Sequence, residues 1–152
     1  MLAVFLTAMT PIGELRAAIP LGVTRDMPWY EAYGWAVLGN MVPVFVLLWG
    51  LEPASRFLLS FPNPAGRFIR WRAERLRERQ GKLLERWGAW ALVPFVAVPL
   101  PVTGAWTGCL AAWAFGIAPR RALLPILCGV IIAGGIVTAL VELSVNFSFI
   151  GD

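Results

Sequence analysis

Apolar residues run almost without interruption from Ala32 to Leu51, ending at Glu52, and from Ala122 to Leu143, broken only by Glu142 near the end. A bilayer crossing takes about 20 apolar residues, so each stretch predicts one transmembrane helix, over 32–51 and 122–143. Both carry residues that weaken a soluble helix: Asn40 and Pro43 in the first, Pro125, Gly129, Gly134 and Gly135 in the second. Membrane helices tolerate them where neighbours re-satisfy the backbone, and kinked, closely packed spans are expected. Two further apolar stretches are interrupted. Met1–Gly22 is punctuated by Pro11, Gly13 and Pro20 and holds Glu14 and Arg16 in its middle. A helix from its start to the break rises only about 14 Å, half of a hydrocarbon core of roughly 30 Å, so residues 1–22 predict a re-entrant hairpin that leaves by the face it entered. Gly88–Gly116 has the same design, with Pro94, Pro99, Pro101 and Gly104 at its centre and an expected tip at Val98–Thr103.

The order is therefore hairpin, connector and span, then a polar middle, then hairpin, connector and span again. The pattern predicts an all-α integral membrane protein with one membrane domain, 1–152, made of two inverted half-repeats over Met1–Leu51 and Gly88–Leu143. Residues 54–87 join them. There Ile69, Ala73, Leu76, Leu83, Leu84 and Trp87 follow helical spacing while most charges fall on other faces, which predicts a basic amphipathic helix at the membrane surface. The alternative is a docking surface for a partner.

Composition agrees. Hydrophobic residues make up 59% of the chain and charged ones 14%, far from the balance of a soluble domain. Most of the positive charge sits in the middle segment, where Arg56, Arg67, Arg70, Arg72, Arg75, Arg77, Arg79, Lys82 and Arg86 face only Glu74, Glu78 and Glu85. Lys and Arg accumulate on the cytoplasmic side of short loops, which puts this segment inside the cytoplasmic membrane. A re-entrant second hairpin returns Arg120 and Arg121 to the same side and leaves only Arg25 outside, whereas a simple crossing would push the pair out. Both termini are then external. Trp29, Tyr30, Trp49, Trp87 and Trp90 lie near predicted boundaries and suit an aromatic belt. No nucleic-acid-reading motif accompanies the basic block, and no cleaved signal peptide is expected.

Catalytic chemistry is not indicated, since no nucleophile and base set or phosphate loop is present. Without histidine or CxxC spacing, Cys109 and Cys128 read as small buried hydrophobes, and no metal or other cofactor is expected. The informative stretch is 10–22, TPIGELRAAIPLG. Facing lipid, Glu14 and Arg16 together would cost roughly 5–7 kcal/mol, so both should face a cavity or each other. Two readings stay open. In one, the pair ties the hairpin tips together through exposed backbone groups; in the other, Arg16 meets an anionic group and Glu14 carries a proton or meets a cationic substrate. In 99–108, PLPVTGAWTG, Gly104 and Gly108 allow close helix approach while Thr103 and Thr107 offer hydroxyls. Asn40 reads first as an interhelical hydrogen-bonding residue. The expected substrate or ion pathway comprises Glu14, Arg16, Pro20, Asn40, Pro99, Pro101, Thr103, Gly104 and Thr107.

The motifs GELRAAIP (13–20) and PLPVTGAWTG (99–108), with the basic middle, resemble the signatures of the bacterial small multidrug export protein family, and the likeness covers nearly the whole chain. The paired hairpins are also similar to the DedA and VTT superfamily, whose members are implicated in moving lipids and lipid carriers, although the second tip here has no charged residue. The resemblance implies transport of a small amphiphile, with a lipid or lipid-carrier translocase as the alternative. A membrane scaffold that binds lipid or a partner through its basic segment is a third reading. Expected partners are membrane lipids, a small amphiphilic or lipid-linked substrate and, because so few spans enclose little space, a second copy of the chain.

Overall fold

The computed structural model describes the backbone of residues 1–59, 86–98 and 104–150, with the side chains of 55–59 and 146–150 left out. Most of the expected basic segment therefore lies outside the described residues. So do Pro99, Pro101 and Thr103.

All regular structure among the described residues is helical: α1 (Leu2–Met9), α2 (Glu14–Val23), α3 (Trp29–Leu59), a 3-10 turn (Gly88–Ala91) leading into α4 (Leu92–Ala97), α5 (Ala105–Ala114) and α6 (Pro119–Ile150). Stretches of 26 residues in α3 (Trp29–Ala54) and 27 in α6 (Pro119–Val145) are apolar enough to cross a bilayer, with mean hydropathies of 1.7 and 2.5. Each is about 40 Å long at 1.5 Å per residue, more than the hydrocarbon core requires. Both helices outrun the apolar stretches that predict them because residues such as Trp29, Tyr30 and Arg120 continue a helix without being apolar core. Pro119 sits where its missing N–H costs nothing, in the first turn.

The first 23 residues fold back on themselves. α1 stops at Thr10, whose hydroxyl donates to the Thr7 carbonyl at 2.8 Å and accepts from the Gly13 N–H at 3.0 Å. A Cβ on Gly13 would lie 2.6 Å from that hydroxyl oxygen. α2 then returns beside α1, so that a Cβ on Gly22 near its end would sit 3.3 Å from Val4 near the start of α1. The expected break thus falls at 10–13. Pro20 does not contribute to it, contrary to expectation, and lies inside α2. A single missing N–H inside a helix is tolerable where neighbours pack against it, as α1 and α3 do here.

The two long helices, α3 and α6, match in constant register. Ala32 and Ala122, Ala36 and Ile126, and Asn40 and Val130 are three successive pairs with 1% or less of their surface exposed. The turns match as well. The Met27 N–H donates to Gly22 O at 3.2 Å around Asp26 (φ 58°), and the Ile117 N–H donates to Ala112 O at 2.9 Å around Gly116 (φ 68°). These are the same left-handed helix closure at corresponding positions. Gly39 of α3 faces the Phe5 carbonyl and Ala8 of α1, as Gly129 of α6 faces the Val93 carbonyl and Val96 of α4. The spans are tied directly where Tyr33 donates its hydroxyl to the Ile131 carbonyl at 3.1 Å.

Outward, α3 presents Leu38, Val42, Phe45 and Val46, and α6 presents Leu124, Ile131, Ile132, Ile136 and Leu140. A contiguous apolar surface of this kind marks a lipid contact rather than a face in water. Trp29, Tyr30, Trp49, Trp87 and Trp90 are all exposed, as interfacial aromatics should be.

Candidate functional site

The site lies where the hairpins meet. α5 begins with Gly104 at its N-cap, a residue with no side chain to satisfy the first amides of the helix. Thr107 supplies part of the cap by accepting the Gly104 N–H at 2.9 Å, and its hydroxyl donates to Gly104 O at 3.1 Å. The rest comes from the other hairpin. Glu14 accepts from the Trp106 N–H at 3.3 Å, and its carboxylate also takes the Ala105 amide. It therefore does for α5 what an N-cap Asp would do, from a position far away in sequence, with the positive end of the helix dipole favouring its negative charge.

Two backbone features make this fit. Glu14 adopts φ 42°, a left-handed conformation that costs a residue with a Cβ about 1–2 kcal/mol and that the surrounding packing must impose. Gly104 is extended (φ 164°, ψ −167°), a conformation open to any residue, so glycine is required there for space. A Cβ on Gly104 would overlap the Glu14 carboxylate. Glu14 and Gly104 also stand in the same constant register as the paired positions of the two halves.

Arg16, in the first turn of α2, places its charge on Glu14, and both line a small pocket of about 10 Å³ with Asn40, Gly104, Ala105 and Val130. That volume is near the minimum for one water molecule and excludes any organic substrate. Asn40 is 1% exposed, and among the described residues neither its Oδ1 nor the buried Trp106 Nε1 has a hydrogen-bond partner. The expected interhelical bond of Asn40 is thus not made through that oxygen. An unpaired buried acceptor costs about 1–3 kcal/mol. Asn40→Val, which installs the residue type held at the equivalent Val130, is expected to stabilise the fold by about 1–2 kcal/mol in chemical unfolding from micelles. Unchanged or lower stability would show that the amide is satisfied.

Of the expected pathway residues, Glu14, Arg16, Asn40 and Gly104 come together around this cavity. The Thr107 hydroxyl is spent on the local cap, and Pro20 is not among the lining residues. A second, larger cavity of about 320 Å³ escaped the sequence reading; it lies between α3 and the end of α5 and is lined by Leu48, Leu51, Glu52, Cys109, Trp113, Gly116, Ile117, Ala118 and Pro119. It reaches the size of small-molecule sites but contains neither Glu14 nor Arg16. The two cavities follow the same helix faces. Asn40, Val44 and Leu48 succeed one another along α3, and Ala105 and Cys109 along α5, each step about 6 Å. Between the cavities stand fully buried Val44 and Cys109, with the thiol 3.9 Å from the Val44 carbonyl.

No curated protein and no solved structure matches the chain. A family model described as "Putative small multi-drug export protein" matches residues 14–136, a stretch that begins at Glu14, takes in the whole of the first span and ends inside the second. The match covers well over half of the sequence, and the chain belongs to that family of membrane proteins.

Proposed function

We propose that the chain is a transport protein of the bacterial cytoplasmic membrane that exports a small amphiphile between the tips of two re-entrant hairpins related as inverted repeats. The observation that carries this reading is the Glu14 carboxylate, buried where the hairpins meet and holding the first amides of α5. Several features support it. Helices of 8, 10, 6 and 10 residues are each too short to cross a bilayer, which suits hairpins that enter and return. The two cavities follow the same faces of α3 and α5 with Val44 and Cys109 between them, so parting these helices would join the two into one route. Glu52 and the Arg120–Arg121 pair lie at the large cavity's end of the molecule, the end that the positive-inside pattern assigns to the cytoplasm.

Reconstituted in proteoliposomes, Glu14→Gln is expected to slow export of a fluorescent lipophilic dye by at least about tenfold, because the neutral amide holds the α5 amides less tightly and carries no proton. Insertion, read by protease protection of the central segment, should be unchanged. Wild-type rates in both Glu14→Gln and Arg16→Ala would remove the site from the mechanism.

A lipid or lipid-carrier translocase is the second reading, favoured by the apolar walls of the large cavity with a single acid at its mouth, a shape that also accepts one acyl chain. Scrambling of labelled polyprenyl phosphate or phospholipid in the same vesicles, without dye export, would select it.

A further inference from the structure

We propose that the cavity of about 320 Å³ between α3 and the end of α5 is a binding site for an amphipathic organic cation. This deepens the transport reading and rests on it, because it names the class of molecule that enters the route. Leu48, Leu51 and Ile117 form apolar walls, Trp113 offers an indole, and Glu52 is the one charged residue among the described residues that line the cavity. Leu48 and Cys109 are buried while Glu52 is exposed, so the charge stands at the mouth and the apolar surface lies deep. That is the order of an amphiphile entering with its body first.

Three features favour positive charge. An aromatic face attracts a cation through its quadrupole, and the attraction grows as water is removed. Glu52 adds a full negative charge, and the carboxyl end of α5 beside Trp113 adds the negative end of a helix dipole. Against this stand the amino end of α6, whose Pro119 lines the cavity, and Arg120 and Arg121, exposed on its first turn, though neither arginine lines the cavity. The sign of the ligand's charge is therefore the property to test, apart from its size and greasiness.

Tetraphenylphosphonium and tetraphenylborate have the same shape and opposite charge. With the full chain in lipid nanodiscs, and binding corrected for empty discs, the phosphonium is expected to bind saturably and the borate to compete poorly. Glu52→Gln should weaken phosphonium binding by roughly fivefold to tenfold, and Trp113→Leu by a similar factor, whereas Glu52→Asp should stay within about threefold of wild type. Equal binding of the two ions by the wild type, absence of saturable phosphonium binding, or an unchanged Glu52→Gln affinity each overturns the proposal. The wild-type comparison keeps the test valid even where a variant does not fold. Failure here is separable from failure of the transport reading. Dye export that depends on Glu14 without phosphonium binding sinks only the cation site, and saturable binding in a protein that moves no dye or lipid sinks only the transport reading.

Discussion

Gly104→Ala is expected to destabilise the protein by about 2–4 kcal/mol and to abolish transport, although it adds a single methyl group at a backbone conformation that alanine readily adopts. The methyl would occupy the space of the Glu14 carboxylate, which must then leave the α5 amides. Loss of the cap costs about 1–2 kcal/mol, and a buried acid left without its donors costs about as much again. The mechanism is tested by a double-mutant cycle. In a Glu14→Ala background the space is vacant, and the same glycine substitution should cost less than about 1 kcal/mol, giving a coupling energy above roughly 1 kcal/mol. Reversible unfolding in mixed micelles measures all four corners. Equal costs in both backgrounds would mean that the two residues do not compete for one place.

The second large effect concerns the glycines that seat each short helix on its span. A methyl on Gly39 would run into the Phe5 carbonyl, and one on Gly129 would lie 2.6 Å from the Val96 Cβ and 3.1 Å from the Val93 carbonyl. Backbone cannot rotate out of the way as a side chain can. Gly39→Ala and Gly129→Ala are each expected to cost about 2–3 kcal/mol, the overpacking penalty of a close helix contact. The control is Gly50, on the same helix as Gly39, where nothing lies within 4 Å of an added Cβ. There alanine should be neutral or stabilising by up to about 1 kcal/mol through helix propensity. Similar losses at Gly39 and Gly50 would assign the effect to helix chemistry in general instead of to the seat against α1.

Much of this architecture is legible in the sequence because it follows from apolar length and from residues that interrupt it. The two spans appear as long apolar runs, and the first break falls where Pro11 and Gly13 predict it. Pro20 misleads because a proline in a packed helix removes one hydrogen bond without stopping the chain. The meeting of Glu14 and Arg16 with Asn40 is foreshadowed only in that buried charges need company. That Glu14 takes main chain from the other apolar segment is one of the two readings the sequence leaves open, but which amides it takes is hidden, because those of Ala105 and Trp106 leave no mark in their side chains. A helix start with glycine at its cap and no nearby acid was the available clue. The large cavity was illegible for a related reason, since residues such as Leu48, Cys109 and Ile117 look like any others in an apolar stretch, and only their spacing in three dimensions leaves room between them.

Glu14 and Gly104 are spaced along the chain as the paired positions of α3 and α6 are, and they touch. A spot where a position meets its own counterpart has room for one side chain. An acid in both halves would drive two carboxylates into a single space and repel; glycine in both would leave α5 uncapped. Had this molecule been assembled from two identical half-length chains, neither choice would have served. Joining the halves in one polypeptide lets one copy provide the group and the other make way for it, so the lack of charge at the second tip is the condition under which the first tip's acid can reach its seat.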